Sequence, residues 1–310
     1  MNNSQIDNTL VSIIVVTYNS ANYVTETLES AKSQRYLNIE LIVTDDCSTD
    51  NTVEVCRLWM EKNKTRFVNL LVLTTKNNTG IAGNCNRGVK ASKGEWIKLI
   101  AGDDLLFEDC IIDNLKFVVQ NPKAKFVTSK MQNINEKSEY IEQEETNYEA
   151  FRKQYYLLSA AKQLKAYSRL PVFLNSPAFF VKREILEAVD YFDEEFKIFD
   201  DMCLIYRING IGEKVFYFDE YTVKYRVHLN SISRSTNSKI DERRRSEQLS
   251  IFNKYRKKNL DKLNPIDLSI YYESWLNFQY EGFFGHKGIN ILLKISAFHW
   301  VLKFLNCRNK

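Results

Sequence analysis

GEWIKLIAGDD (residues 94–104) and ELIVTDD (40–46) each run from a short apolar segment straight into a pair of aspartates. Each segment reads as a buried strand, with its acidic pair at the carboxyl end. Where strands alternate with helices, ligands collect at that end of the sheet. Asp45–Asp46 and Asp103–Asp104 therefore supply oxygen donors suited to a divalent metal and a nucleotide.

Outward from these two segments the alternation continues. VSIIVVTYN (11–19), VNLLVLTT (68–75) and KFVTSK (125–130) read as further strands. Val24, Leu28 and Ala31 repeat at helical spacing behind Ser20, and Ser48 or Asp50 caps a helix carrying Val53, Val55, Leu58 and Trp59. Helices are also expected near 84–92 and from Glu108 to Gln120. The pattern predicts an α/β fold with right-handed crossovers and a mainly parallel sheet, helices covering both faces. Residues 131–170 break it with a polar and then aromatic stretch (Tyr148, Phe151, Tyr155, Tyr156), either an insertion that touches substrate or a packed helical excursion. Beyond it, Val172–Val181 reads as a strand, Arg183–Val189 and Asp200–Asn209 as helices, and Lys214–Phe218 and Thr222–Val227 as two strands. After 236 only helix-like segments remain. The expected organisation is one domain over 1–235, in halves of about 10–130 and 131–235, and a C-terminal helical appendage over 236–310.

The 310 residues are 44% hydrophobic and 26% charged, ordinary values for a globular chain with a real core. MNNSQIDNTL (1–10) lacks a basic-then-apolar signal, and no stretch reaches the roughly 18 apolar residues that span a bilayer. The six cysteines show no CxxC pair, so reduced thiols in a cytoplasmic protein are expected. Charge is uneven: residues 236–310 hold 14 Lys+Arg against 7 Asp+Glu, and the rest holds 29 against 32. A basic tail on a near-neutral body suits an anionic surface. INILLKISAFHWVLKFL (289–305) either docks on the domain or lies on an anionic membrane.

Several chemistries are excluded. Tyr18-Asn19-Ser20-Ala21 follows the first strand in place of the glycines that a dinucleotide turn needs, and no GxxxxGK[ST] loop occurs. The three histidines (His228, His286, His299) lack ligand spacing for a multi-histidine metal site. Among the groups present, Tyr18 offers a face for a nucleobase, Asp46 an acceptor for a base N–H, and Asp103 and Asp104 hard oxygen ligands for Mg²⁺ or Mn²⁺. Singly, each has a plain structural alternative as edge aromatic, cap or turn residue. Together on one sheet edge they point to a site.

VSIIVVTYN and ESAKSQRYLNIELIVTDDCSTDNT (29–52) resemble the opening of the family 2 glycosyltransferases of GT-A fold. The resemblance continues through Asn78, Gly80, Asn86 and Gly88, GEWI (94–97), Gly102-Asp103-Asp104, YFDEEFKIFDDMCLIYRINGIG (191–212) and KYRVHLNSIS (224–233). It implies a nucleotide-binding half and an acceptor half within 1–235. Thr17, Tyr18, Asn19, Asp46, Asn78, Gly80 and Asn86 would line the nucleotide-sugar site, with Tyr18 and Asp46 on uracil and Asp103 on ribose. Asp104 would hold the metal, with His228 beside it, and Asp201, six residues before Arg207, would be the catalytic base. Two positions depart from the family: Asn84-Cys85-Asn86 stands where many members have Ala-Arg-Asn, and Asp200 replaces the commoner glutamate.

The chemistry is consistent with these roles. A divalent cation stabilises a leaving diphosphate, and a carboxylate on the far side of the anomeric carbon removes the acceptor proton. One base and one metal give a single displacement with inversion. The resemblance implies a UDP-sugar donor, a glycan or lipid-linked oligosaccharide acceptor in capsule, lipopolysaccharide O-antigen or cell-wall synthesis, peripheral contact with the inner membrane surface, and no nucleic acid partner. The alternative is a catalytically silent sugar-nucleotide-binding or scaffold protein of the same fold.

Overall fold

The computed structural model describes residue 6 and residues 8–142, 147–169, 175–228 and 238–271. The 289–305 segment, His286 and His299 lie outside them. The chain divides into two compact units, one of Met1–Gln163 with Val172–Thr236, the other of Leu164–Pro171 with Asn237–Lys310.

In the first unit the described strands are β1 (Val11–Thr17), β2 (Ile39–Asp45), β3 (Asn69–Thr74), β4 (Trp96–Ala101), β5 (Leu105–Leu106), β6 (Phe126–Ile134), β7 (Phe180–Lys182) and β8 (Phe216–Arg226). The described helices before unit two are α1 (Val24–Lys32), α2 (Thr52–Lys62), α3 (Gly80–Ala91), α4 (Cys110–Gln120), α5 (Asn147–Leu157), α6 (Ala160–Arg169), α7 (Arg183–Ala188) and α8 (Asp200–Gly210). The strands form one sheet of order β3-β2-β1-β4-β7-β6-β8-β5. β3-β2-β1-β4 is wholly parallel. The three-residue β7 then runs antiparallel to both β4 and β6. β6 and β8 are parallel again, with β5 antiparallel on the edge. The fold is α/β, with parallel pairing concentrated where the sequence alternates strictly.

β1 and β2 are buried along almost their whole length, as central strands covered on both faces must be. Ile13 and Val15 face one layer with Val24, Leu28 and Ala31 of α1, Trp59 of α2 and Leu115 of α4. Ile14 faces the opposite layer, against α3 at Gly88. Expected Lys214–Phe218 and Thr222–Val227 are one strand, β8, with its register slipping opposite Ser129–Met131. Within 172–181, Ser176–Ala178 is a 3₁₀ turn, because Pro177 lacks a ladder donor, and β7 begins only at Phe180. Ser20 does not cap α1, whose first residue follows Tyr23; Asp50 does accept the Thr52 N–H at the start of α2. The aromatic excursion is packed: Tyr155 and Tyr156 are buried, and Tyr156 stacks on Tyr217 at 4.8 Å.

In the second unit, α9 (Ser238–Ile251) leads into one wider helical turn, Phe252–Arg256. Asp267, fully buried, takes Arg169 Nε at 2.5 Å and the Asp261 N–H at 3.0 Å. Among the described residues no helix is long and apolar enough to cross a membrane.

A Cβ at Gly88 would lie 2.5 Å from Ile14 Cγ2 and 3.1 Å from Thr44 Cγ2, so α3 needs glycine to approach β1 and β2. Gly88→Val is expected to destabilise the fold by about 1–3 kcal/mol, measured by urea denaturation. An unchanged midpoint would mean that α3 does not pack this closely.

Candidate active site

The carboxyl ends of β1, β2 and β4 are knitted together by side chains. Thr17 Oγ1 donates to Asp45 Oδ1 at 2.9 Å, and Asp45 takes the Ser48 N–H at 2.8 Å and the Ser48 hydroxyl at 2.5 Å. Asn19, in the left-handed region at φ +50°, donates its N–H to Ser48 Oγ (2.8 Å) and accepts the Thr49 N–H (2.8 Å). Thr17 and Asn19 thus fix the corner that carries Tyr18, whose side chain is left 50% exposed.

Asp46 is buried and multiply engaged. It accepts the Thr79 N–H (2.9 Å), Thr79 Oγ1 (2.6 Å), the Gly80 N–H (2.7 Å) and Arg87 Nη2 (3.2 Å). Burial alone would raise its carboxyl, but these donors together hold it below the ordinary carboxylate value. Asp46 therefore anchors the Asn78–Gly80 loop, and any base N–H must share an oxygen already in use. Asn78 is exposed and its amide oxygen accepts the Gly80 N–H at 3.1 Å. Gly80 sits at φ +82°, and a Cβ there would strike the Lys197 stem at 2.6 Å. Lys197 Nζ donates to the Thr79 carbonyl, which places a cation against the loop.

Arg87 lies beneath the same loop. Its guanidinium reaches Thr44 Oγ1, the Asp45 carbonyl, Asn84 Oδ1, Asp46 and Thr79 Oγ1. Asn86 is buried and latches the 192–194 segment: its Nδ2 donates to the Phe192 carbonyl (3.0 Å) and Glu194 (2.8 Å), and its Oδ1 accepts the Phe192 N–H (2.8 Å). Cys85 is also buried, its thiol pushed well up by burial and by Asp200, Asp46 and Asp201. Those three carboxylates, far apart in sequence, thus gather around one side chain.

The Gly102-Asp103-Asp104 turn is held by a residue that motif reading passed over. Arg226, fully buried at the end of β8, gives its N–H to Asp104 Oδ1 (2.8 Å) and its Nε to the Asp103 carbonyl (2.7 Å). Its remaining nitrogens reach Asn135, Glu136, Ser138 and Glu26, and the guanidinium lies 4.7 Å above the Tyr23 ring. The sequence signal was present: an arginine two positions before His228 shares its strand face. Asp104 is buried (1% exposed), and burial, aided by the Asp103 charge, raises its carboxyl well above normal against the Arg226 N–H and Lys98. Asp103 is more open, and its Oδ2 lies 2.8 Å from His228 Nε2. Tyr23 flanks that histidine at 5.3 Å between rings.

Asp201 occupies the first turn of α8 and is partly buried. Burial raises its carboxyl above the usual value, although the Met202 N–H and the Ser176 hydroxyl oppose the shift. Arg207, one and a half turns on, holds the carbonyls of Val189, Asp190 and Tyr191, where Asp190 and Tyr191 both adopt positive φ. That arginine braces the segment leading into α8.

The donor set is chemically suited to a hard divalent cation. Asp103 and Asp104 are adjacent carboxylates penalised as a charged pair, and a cation would relieve the penalty. Among the described residues no group of three or more His, Cys, Asp or Glu side chains is arranged as a closed cage, so substrate oxygens would complete the shell.

The Asp46 bonds give a test. Asp46→Asn is expected to lower stability by about 2 kcal/mol at pH 7. Because the folded Asp46 carboxyl titrates below its unfolded value, its contribution is present above the unfolded value and disappears as pH falls through the folded one. The wild-type advantage in urea midpoint should therefore close at acid pH, and a gap independent of pH would show that the charge is not what holds the loop.

Comparison with known proteins places these features in a family. The family model for Glycosyl transferase family 2 matches residues 12–190. Glycosyltransferase GlyG of Streptococcus pneumoniae serotype 4 is 30% identical over 237 residues, 73% of each chain. Glycosyltransferase GlyA of the same organism is 24% identical over 234 residues, but that match spans only 31% of its length. Among solved structures, S. aureus TarS 1–349 in complex with UDP-GlcNAc aligns with TM-score 0.60 at 21% identity, covering 93% of this chain and 76% of that one. The mannosyltransferase PcManGT from Pyrobaculum calidifontis, in complex with GDP-Man and Mn²⁺, aligns with TM-score 0.60 at 18% identity, covering 96% and 79%. These structures share the GT-A fold, and the chain is a glycosyltransferase that belongs to Glycosyl transferase family 2.

Proposed function

We propose that this chain transfers a hexose from a UDP-sugar to a glycan hydroxyl, with inversion at the anomeric carbon. Asp201 carries the reading. It is a partly exposed carboxylate at a helix start, raised by burial and still hydrogen-bonded through its charged form. A base with a raised pKa takes a proton more effectively once ionised, which suits removal of an acceptor hydroxyl proton. TarS in complex with UDP-GlcNAc supports a UDP-sugar as the donor class.

Around the base, Tyr18 stacks on the uracil, and Thr17 and Asn19 hold the corner that presents it. Asp46, Asn78 and Gly80 form the loop against the nucleotide, and Asn86 holds the segment that leads to Asp201. Asp103 takes the ribose. Asp104 and His228 would hold the divalent cation, Mn²⁺ or Mg²⁺, which when bound supplies Lewis-acid stabilisation of the leaving diphosphate. The PcManGT complex with Mn²⁺ supports a metal in this position. The acceptor is a lipid-linked oligosaccharide at the cytoplasmic membrane face, in surface-polysaccharide synthesis. The basic balance of residues 236–310 supports that surface.

Asp201→Asn is expected to lower UDP release from UDP-glucose, UDP-galactose or UDP-N-acetylglucosamine by about 10²–10⁴-fold with binding retained. Ionised Asp201 is the active form, so the wild-type rate should rise with pH along a limb above the ordinary carboxylate range. A variant with wild-type turnover would remove the base. Separately, EDTA should abolish calorimetric UDP binding and Mn²⁺ should restore it. UDP affinity indifferent to chelator would remove the cation from the donor site.

A further inference from the structure

A lysine amine with no exposed surface lies inside β4. Lys98 is 0% exposed, on the sheet face that also carries Trp96 and Ile100 into the apolar core with Ala178 and Phe180. Nothing in a core position of this kind calls for an ammonium group, and burial works against its charge. Its Nζ donates to the Pro177 carbonyl at 2.5 Å and approaches the Phe179 carbonyl at 3.4 Å. These carbonyls belong to the 3₁₀ turn Ser176–Ala178 and the residue that closes it. A carbonyl at the end of so short a turn has no helical partner of its own, and the buried ammonium supplies one.

The same turn carries Ser176, whose hydroxyl bonds Asp201. Its other side is fixed by Asn175, whose Nδ2 donates to the Ser129 carbonyl (2.9 Å) and whose Oδ1 accepts Arg152 Nη1 (2.7 Å). A continuous path thus runs from the interior of β4, through Pro177 and Ser176, to the carboxylate at the start of α8. Lys98 also faces Asp104 and Cys110, so its charge backs the acidic turn at the end of its own strand.

We propose that Lys98 is a positioning residue for the transfer, holding the Ser176–Phe179 turn so that the Ser176 hydroxyl fixes the orientation of Asp201. This rests on the reading of Asp201 as the base. Lys98 touches neither donor nor acceptor. It acts by fixing the geometry and proton affinity of the group that does. The groups facing Asp201 are the Ser176 hydroxyl, the Met202 N–H and the Cys85 thiol, with Asp200 adjacent in the chain. Of these, Ser176 is the one linked to Lys98.

The test compares wild type with Lys98→Met, Ser176→Ala and the double variant. Turnover is read as UDP release from the three UDP-sugars with Mn²⁺, and backbone order by hydrogen exchange. In Lys98→Met the Ala178 and Phe179 amides, bonded to Asn175 and Ser176 carbonyls in the wild type, should exchange about tenfold faster or more. Its kcat should fall roughly 10- to 100-fold with the donor KM close to wild type. The Ser176 bond favours ionised Asp201, so the acid limb should move to higher pH in both single variants. The double variant should be no worse than the more affected single one, because both act along one path. Unchanged exchange or kcat in Lys98→Met, a loss confined to KM, or additive losses in the double variant would each overturn the proposal. Should Lys98→Met not fold, Ser176→Ala decides alone: wild-type kcat with an unmoved limb overturns the proposal. An active Asp201→Asn is a different failure, removing the base itself while the exchange result still reports whether Lys98 holds the turn.

Discussion

A carboxylate withdrawn from water must be met by donors of comparable strength, or it loses its charge. The carboxyl edge of this sheet withdraws several at once, and each is answered differently. Asp45 is met by Thr17 and Ser48, and Asp46 by Thr79, Gly80 and Arg87, which keeps it ionised. Asp104 receives the Arg226 N–H, and burial nonetheless raises its carboxyl. Asp201 receives Ser176 and Met202 and is raised less far. The first two are structural pins, whereas the latter two stay poised to meet something further. In this way one strand edge separates groups that build the site from groups that act in it.

The parallel half of the fold was legible because its signal is local. Apolar runs of five to seven residues ending in turn residues are buried strands, and α1 and α2 follow from helical spacing. The return half was harder. β7 has three residues and follows a proline-containing turn, so its pairing depends on what β4 and β6 offer. The gap between the two expected strands of β8 closed because β6 accommodates a register shift there. Such pairings are set by tertiary partners, and no periodicity in one strand reports them.

The site was legible as a set of positions and less so as a set of contacts. Tyr18, Asp103 and Asp201 keep exposed surface, as groups that meet substrate must. Asn86 and Asp46 are turned into the protein, where they hold the 192–194 segment and the Thr79–Gly80 loop. A motif cannot separate a residue that binds ligand from one that holds its neighbour, since both require the same side chain at the same place. Arg226, Lys98 and Ser176 escaped for the opposite reason. Their partners lie between 25 and 123 positions away, so their roles exist only once the chain has folded.

The arginine missing at position 85 bears on how a donor's charge is met. Arg87 does not stand in for it. Its guanidinium is spread over five acceptors, and turning it outward would strip Asp46 of its cationic partner and loosen the loop. Cys85 brings no charge of its own, because burial and the neighbouring carboxylates keep its thiol protonated. Lys197 is cationic but already reaches across the loop to the Thr79 carbonyl. In the proposed reading the burden therefore shifts to the cation beside Asp104, which faces a diphosphate without the arginine that many family members have. A single divalent ion must then both offset the Asp103–Asp104 charge and receive the leaving group. Turnover in this chain should accordingly depend more steeply on metal identity than in a relative that retains the arginine.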